Sequence, residues 1–166
     1  DSMIHSYARK AIEEYIEELG PLLAKKSIQL NFKDRPAKLE MITDPKVLRN
    51  IIQSLVSNAI EYTPDKGTID IIVESGDGSY IILKVKDTGI GIPKDGQAKI
   101  FEKFHRAENA KKVKATGTGL GLYIAKTSTE VLGGEIGFES EEGKGTTFNV
   151  KLPLESKEKK SGKMLQ

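Results

Sequence analysis

Cysteine and tryptophan are both missing from the 166-residue sequence. Without cysteine the chain can form neither a disulfide framework nor a thiolate metal site, which fits a cytoplasmic location. No apolar run approaches the roughly 18 residues of a membrane-spanning helix, and no signal peptide is visible. These absences exclude a disulfide-stabilised secreted domain and give no reason to expect direct membrane contact.

The charge balance is close to neutral, with a formal net charge of +2. A nearly neutral net charge gives no general reason to expect nucleic acid as a partner. With 37% hydrophobic residues, the chain has enough apolar side chains for one soluble domain with a sizeable core. We assign that domain to residues 1–154 and expect the polar tail over 155–166 to be disordered.

Apolar residues spaced three and four apart predict three helices, over 6–26, 44–62 and 119–132. The first is interrupted by Gly20-Pro21, a break signal. The second begins with an acidic N-cap, Asp44, followed by proline at the first helical position. The third ends at a pair of glycines.

Alternating apolar and polar residues predict six strands, "SIQLNF", "AKLEMIT", "TIDIIVES", "YIILKVK", "EIGFES" and "TTFNVKL". The last four form two hairpins, because short glycine-containing turns separate them. The order of helices and strands predicts an α/β (α+β) two-layer sandwich, in which three helices cover one face of a mixed sheet.

Residues 84–96, "KVKDTGIGIPKDG", place a lone acid and two glycines directly after a strand. The dinucleotide fingerprint G-x-G-x-x-G fails because its third glycine would be Lys94, and no G-x-x-x-x-G-K-[ST] phosphate loop is present. The carboxylate of Asp87 could accept a hydrogen bond from an exocyclic amine, while Gly89 and Gly91 let backbone and base approach closely. The alternative is an ordinary Asp-x-Gly turn.

Four polar side chains lie along one edge of the second predicted helix, namely Ser54, Asn58, Glu61 and Tyr62. An amide oxygen beside a carboxylate could help to hold Mg²⁺, which prefers hard oxygen ligands and keeps several waters. The alternative is an asparagine at the helix rim that is solvated or hydrogen-bonded.

A long basic connection runs between Gly91 and Gly117. Connections beyond about 12 to 15 residues are usually functional or disordered. Phe101 and Phe104 predict two apolar anchors for a mobile flap, which would suit a triphosphate lid. The alternative is a solvated surface loop with a short helix.

The segment "GTGLGL" opens the third helix with three glycines, at positions 117, 119 and 121. Exposed backbone N–H groups at a helix N-terminus form a ready anion site, although a glycine-rich turn is the alternative. His5 and His105 have no partner at metal-ligand spacing, which predicts that both are surface residues.

The order of these motifs resembles the catalytic and ATP-binding domain of sensor histidine kinases, in the Bergerat-fold superfamily that includes gyrase-type and MutL-type ATPases. The resemblance covers residues 6–154. "SLVSNAIEYTP" resembles the N box, "DTGIGIP" the first glycine box, "IFEKFHR" the F box, "GTGLGL" the second glycine box, and "EGKGTTF" the final glycine-threonine box. The F box is typical of the kinase branch.

The resemblance implies a Bergerat ATP-binding fold with a mostly antiparallel sheet and a flexible ATP lid over about 93–118. It implies ATP and Mg²⁺ as cofactors, with Asn58 and Arg106 as catalytic residues that contact the metal ion and the phosphates, respectively. Asp87 would bind the adenine amine, and Thr147 would help to support that carboxylate together with water. The other implied nucleotide-binding residues are Tyr62, Gly89, Gly91, Ile92, Thr116, Gly117, Thr118, Gly119, Leu120, Gly121 and Leu122.

The sequence departs from the family pattern at three points. Family members commonly carry Asn at the position of Ser54 and often Lys at that of Glu61. The third departure is the acceptor histidine, whose motif resembles H-E-[LIF]-R-T-P, because neither His5 nor His105 stands in such a context. The implied partners are therefore a separate helical dimerisation and phosphoacceptor domain and a response regulator receiver domain.

Ser54 also bears on hydrolysis, since the ATP-hydrolysing branches place a general-base Glu at its position. Serine is a poor base, so we expect weak or absent ATP hydrolysis. Two other functions remain open, an anti-sigma-type serine protein kinase and a degenerate, non-catalytic interaction module. The F box argues against the first, whereas Ser54 and Glu61 favour the second.

The acidic side chain of Glu61 predicts a measurable cost to nucleotide binding. We expect Glu61→Lys to tighten ATP binding in a calorimetric titration, because a cation would then face the phosphates. An unchanged or weaker affinity would show that Glu61 does not oppose the nucleotide.

Overall fold

The computed structural model describes residues 4–34, 40–113 and 119–155. The elements in chain order are β1 (Ile4–Tyr7), α1 (Ala8–Glu18), α2 (Gly20–Lys26), β2 (Gln29–Asp34), β3 (Glu40–Thr43), α3 (Pro45–Tyr62), β4 (Thr68–Ser75), β5 (Tyr80–Asp87), α4 (Lys94–Gln97), α5 (Glu108–Val113), α6 (Gly121–Val131), β6 (Glu135–Glu141) and β7 (Gly145–Pro153). The tail expected to be disordered lies outside the described residues except for Glu155.

The main sheet has five strands in the order β2-β4-β5-β7-β6. The β2–β4 pair is parallel and the other three pairs are antiparallel, so the predicted mixed and mostly antiparallel sheet is confirmed. Along β4 and β5 buried residues alternate with more exposed ones, as expected for a sheet with one covered face. The register places Asp87, at the end of β5, directly opposite Thr146 on β7.

The buried face of the sheet packs against the helices, as the sequence predicts. Helix α3 contributes seven buried residues to this core, Leu48, Ile51, Ile52, Leu55, Val56, Ala59 and Ile60. The Asp44 side chain caps α3 by accepting a hydrogen bond from the backbone N–H of Lys46 at 2.9 Å. The helix ends at Tyr62, and Thr63 is extended because it precedes Pro64. None of the described helices is sufficiently long and apolar to span a bilayer.

The N-terminal region differs from the prediction in two ways. Residues 6 and 7 begin the expected first helix, but they belong to β1, which pairs with β3 in a separate two-stranded sheet. β3 is therefore not part of the main sheet, although the backbone N–H of Ile42 donates to Leu154 at 2.8 Å. Such pairing depends on a partner more than 30 residues away, which local periodicity does not reveal.

The buried face of α3 predicts a large effect of truncating its central leucine. Leu55 is fully buried, so Leu55→Ala should lower the free energy of unfolding by about 2 to 5 kcal/mol. Leu22→Ala is the matched control, because Leu22 is 53% exposed and should change stability by less than about 0.5 kcal/mol. Urea denaturation of both variants checks this difference, and equal losses would contradict the assigned core.

Candidate functional site

A cavity of about 270 Å³ lies among the end of α3, the loop after β5, the segment before α5 and the start of α6. Nine residues of the predicted site line it, namely Asn58, Tyr62, Asp87, Gly91, Ile92, Arg106, Gly119, Gly121 and Leu122. Three others, Gly89, Leu120 and Thr147, are described but do not line it. Thr116, Gly117 and Thr118 lie outside the described residues.

Asp87 lies at the wall of this cavity and is 6% exposed as a residue. Its Oδ1 accepts two backbone hydrogen bonds, from the N–H of Gly89 at 2.9 Å and from the N–H of Thr146 at 3.2 Å. Burial raises the pKa of the carboxyl above its ordinary value, while the two N–H donors act in the opposite direction. The fold thus places a desolvated acceptor at a fixed position beside the cavity.

Glycine is required at two positions next to this carboxylate. A Cβ on Gly89 would lie 2.7 Å from the Tyr62 carbonyl oxygen and 2.8 Å from Asp87 Oδ1. Gly91 has a φ of +69°, and a Cβ there would collide with the carbonyl group of Glu141. The two glycines therefore let the loop pass between α3 and the β6–β7 hairpin.

The loop after β5 is also held by side-chain amides. Gln97 on α4 donates from Nε2 to the Ile92 carbonyl oxygen at 2.9 Å and to that of Ser140 at 3.2 Å. Asn109 on α5 donates from Nδ2 to the Gly91 carbonyl oxygen at 2.8 Å. These bonds fix the cavity wall from the side of the basic connection.

The predicted polar edge of α3 faces the cavity. Ser54, Asn58 and Glu61 follow one another at spacings of four and three residues, and all three line it. Their hydroxyl, amide and carboxylate oxygens match the hard ligands that Mg²⁺ prefers. This donor set fits a magnesium ion.

Thr147 does not support Asp87, so that expectation is wrong by one residue. Side chains alternate along a strand, and Thr146 is the buried member of the pair, at 7% exposure. Thr146 lines the cavity and binds Asp87 through its backbone N–H, and its hydroxyl lies 2.8 Å from the Ser140 hydroxyl. Thr147 belongs to the opposite face of the sheet.

The two phenylalanines of the basic connection differ in environment. The Phe101 ring packs edge-on against Phe138 and Phe148, with centroid distances of 5.7 and 6.2 Å, so this predicted anchor is confirmed. Phe104 is 68% exposed, and its prediction as a second apolar anchor is wrong. Its backbone N–H donates to the Gly119 carbonyl oxygen at 3.0 Å.

His105 is not a surface residue, contrary to expectation. It is partly buried and lines the cavity beside Arg106, and its Nε2 is buried. The side chain of His5 lies outside the described side chains. Arg106 lines the same wall and donates from Nη2 to the Ala110 carbonyl oxygen at 3.3 Å.

The start of α6 borders the cavity, as predicted from its glycines. Gly119, with a φ of +69°, and Gly121, the first residue of α6, both line it. A Cβ on Gly119 would approach the Phe104 carbonyl carbon to 2.7 Å, so glycine permits this close passage.

Six lining residues were not predicted for the site, namely Ser57, Ile90, Ile100, His105, Thr146 and Phe148. Strand alternation could have identified Thr146, since Phe148 and Val150 share its face. The same alternation applies to Phe148, whereas the other four meet the cavity through tertiary packing, for which the sequence carries no local signal.

Comparison with known proteins identifies the family. Residues 43–156 match the profile of the family described as histidine kinase-, DNA gyrase B-, and HSP90-like ATPases. The chain belongs to this family. It is a histidine kinase-type catalytic domain with an ATP-binding fold.

The similar proteins are sensor histidine kinases. The chain is 36% identical over 129 residues to the sensor histidine kinase WalK of Bacillus subtilis (strain 168), a match that covers 77% of this chain and 21% of WalK. It is 44% identical over 110 residues to the circadian input-output histidine kinase CikA of Synechococcus elongatus, covering 66% of this chain and 14% of CikA. The chain thus spans about a fifth of these relatives or less.

Two solved structures share the fold. The catalytic domain of histidine kinase ThkA superposes with a TM-score of 0.81 at 26% identity, covering 93% of this chain and 99% of that domain. Full-length ShkA in complex with AMPPNP superposes with a TM-score of 0.80 at 26% identity, covering 95% of this chain and 32% of ShkA. These likenesses confirm the predicted fold class.

The raised pKa of Asp87 predicts a gain in stability when its charge is removed. The pKa of the Asp87 carboxyl is higher in the folded state than in the unfolded state. The group therefore contributes its full stability at pH values below its unfolded-state pKa, and this contribution is lost as the pH rises through the folded-state pKa. Without nucleotide, Asp87→Asn should therefore be more stable than wild type at pH 7, and this advantage should shrink in acid.

Urea unfolding at neutral and acidic pH measures the difference between the two proteins. Asp95→Asn is the control, since it removes an exposed carboxylate from α4. An Asp87→Asn protein that is less stable than wild type at neutral pH would contradict the assigned cost of burying this charge.

Proposed function

We propose that this chain binds Mg-ATP and transfers the γ-phosphate to a histidine on a separate helical dimerisation and phosphoacceptor domain. The observation that carries the proposal is the buried Asp87 carboxylate, held by two backbone N–H groups at the wall of a cavity lined by Asn58 and Arg106. Within a sensor kinase of this kind, the phosphate would pass on to a response regulator receiver domain. We place the chain in the cytoplasm, as the cytosolic part of such a kinase.

Base recognition is assigned to Asp87. Both protein donors bind Oδ1, and no other described residue donates to the carboxylate, so Oδ2 can accept the exocyclic amine of adenine. A buried acceptor favours a ligand that supplies an N–H and disfavours one that presents a carbonyl oxygen. Tyr62, Gly91 and Ile92 surround this end of the cavity and would contact the base.

The phosphate end is assigned to the opposite group of lining residues. Arg106 supplies a cation, and the N-terminus of α6 supplies backbone N–H groups and the positive end of the helix dipole. Asn58 would hold Mg²⁺ together with the phosphate oxygens. When bound, the ion neutralises charge that develops on the transferring group.

Phosphotransfer needs little chemistry from the chain itself. The acceptor imidazole attacks the γ-phosphorus, a nitrogen–phosphorus bond forms, the bond to the bridging oxygen breaks, and ADP leaves. Asn58, Arg106 and the α6 N-terminus would position the triphosphate for this step. Ser54, on the cavity wall, is a poor base for water activation, which supports transfer over hydrolysis.

The role of Asn58 predicts a loss that depends on magnesium. Asn58→Ala should bind a non-hydrolysable ATP analogue with nearly wild-type affinity in the absence of Mg²⁺, and should lose most of the strengthening that Mg²⁺ gives to wild type. Calorimetric titrations with and without Mg²⁺ measure both affinities. Asn50→Ala, an exposed asparagine on the same helix, is the control. If Mg²⁺ strengthened binding of the analogue equally in Asn58→Ala and wild type, Asn58 would not be a ligand of the metal ion.

The transfer step is tested by mixing the chain with ATP labelled at the γ-phosphate and a helical domain that carries an acceptor histidine. We expect acid-labile label on that domain, because phosphohistidine hydrolyses in acid. Acid-stable label would instead indicate a serine kinase. ATP binding without transfer to cognate helical domains would favour a non-catalytic module.

A further inference from the structure

We infer that Asn109 is a positioning residue that joins the phosphate end of the site to its base end. The inference rests on the proposed function, because it concerns how the ATP cavity is held together. Asn109 lies on α5 and is not among the residues that line the cavity. It acts through the residues that it holds.

The decisive contact is the hydrogen bond from Asn109 Nδ2 to the Gly91 carbonyl oxygen, at 2.8 Å. The acceptor is a carbonyl, so the amide nitrogen must face it, and this fixes the orientation of the Asn109 side chain. Gly91 lies on the cavity wall four residues after Asp87 and is confined by the Glu141 carbonyl. The bond therefore reaches a rigid part of the base loop.

The same short segment carries the proposed phosphate contact. Arg106 lines the cavity and donates from Nη2 to the Ala110 carbonyl oxygen at 3.3 Å. The Lys111 N–H donates to the Ala107 carbonyl oxygen at 3.2 Å, and Ala107 is 6% exposed. Residues 106–111 thus form one unit, and Asn109 ties this unit to the base loop.

The amide oxygen of Asn109 indicates that a contribution to folding stability does not by itself account for asparagine at this position. Oδ1 is buried and has no hydrogen-bond partner in the described part of the chain. Burying an unpaired acceptor costs free energy, and leucine has the same branched shape without that cost. The feature of asparagine that the site uses is the N–H donor to Gly91.

The test separates base binding from phosphate binding. Wild type, Asn109→Leu and the exposed-site control Asn50→Leu are titrated with adenosine and with a non-hydrolysable ATP analogue in Mg²⁺, by NMR and calorimetry. Asn109→Leu should bind adenosine within about twofold of wild type and the ATP analogue about fivefold to tenfold more weakly, the effect of one hydrogen bond. Asn50→Leu should match wild type with both ligands.

Two results would overturn the inference. The first is an affinity of Asn109→Leu for the ATP analogue that equals that of wild type, and the second is an equal loss of affinity for adenosine and for the ATP analogue. A purely structural role would produce the equal loss. A wild-type chain that binds neither ligand would instead refute the proposed function, and the inference with it. If Asn109→Leu does not fold, Asn109→Ala provides the same comparison, because alanine lacks the donor and adds no charge.

Discussion

The site depends on keeping one carboxylate desolvated and fixed. Asp87 ends a central strand, and its Oδ1 accepts N–H groups from Gly89 and from Thr146 on the neighbouring strand. Burial raises its pKa, so the fold bears a cost that a structural residue would avoid. Gly89, the end of α3 and Thr146 of the β6–β7 hairpin lie around this group.

The residues around that carboxylate form a cavity with two chemically different ends. The loop after β5 passes between the Tyr62 and Glu141 carbonyls, which only glycines at 89 and 91 allow. Helix α3 contributes a row of oxygen-bearing side chains to the cavity, which Arg106 also lines. Phe101 anchors the basic connection to the sheet, while Phe104 remains exposed. The proposed nucleotide site therefore combines a base pocket enclosed by backbone groups with a phosphate wall that Asn109 joins to the base loop.

Sequence patterns predict the parts of this structure that are determined locally. Asp44 and Pro64 mark the ends of α3, and strand alternation with glycine turns marks both hairpins, because capping, proline geometry and turn chemistry act over a few residues. β1 could not be predicted, since it depends on pairing with β3. The choice of Thr147 over Thr146 failed because a shift of one residue reverses the face of a strand. The motif order located most of the cavity lining, whereas the burial of His105 results from packing.

The most direct test of the account compares nucleotides that differ at a single purine position. ATP carries an amine at purine position 6, where inosine triphosphate carries a carbonyl oxygen and has its N–H at N1 instead, so only ATP can donate to Asp87 from position 6. We expect wild type to bind ATP at least about tenfold more tightly than inosine triphosphate, and Asp87→Asn to reduce this preference. Equal affinity of wild type for the two nucleotides would contradict base recognition by Asp87.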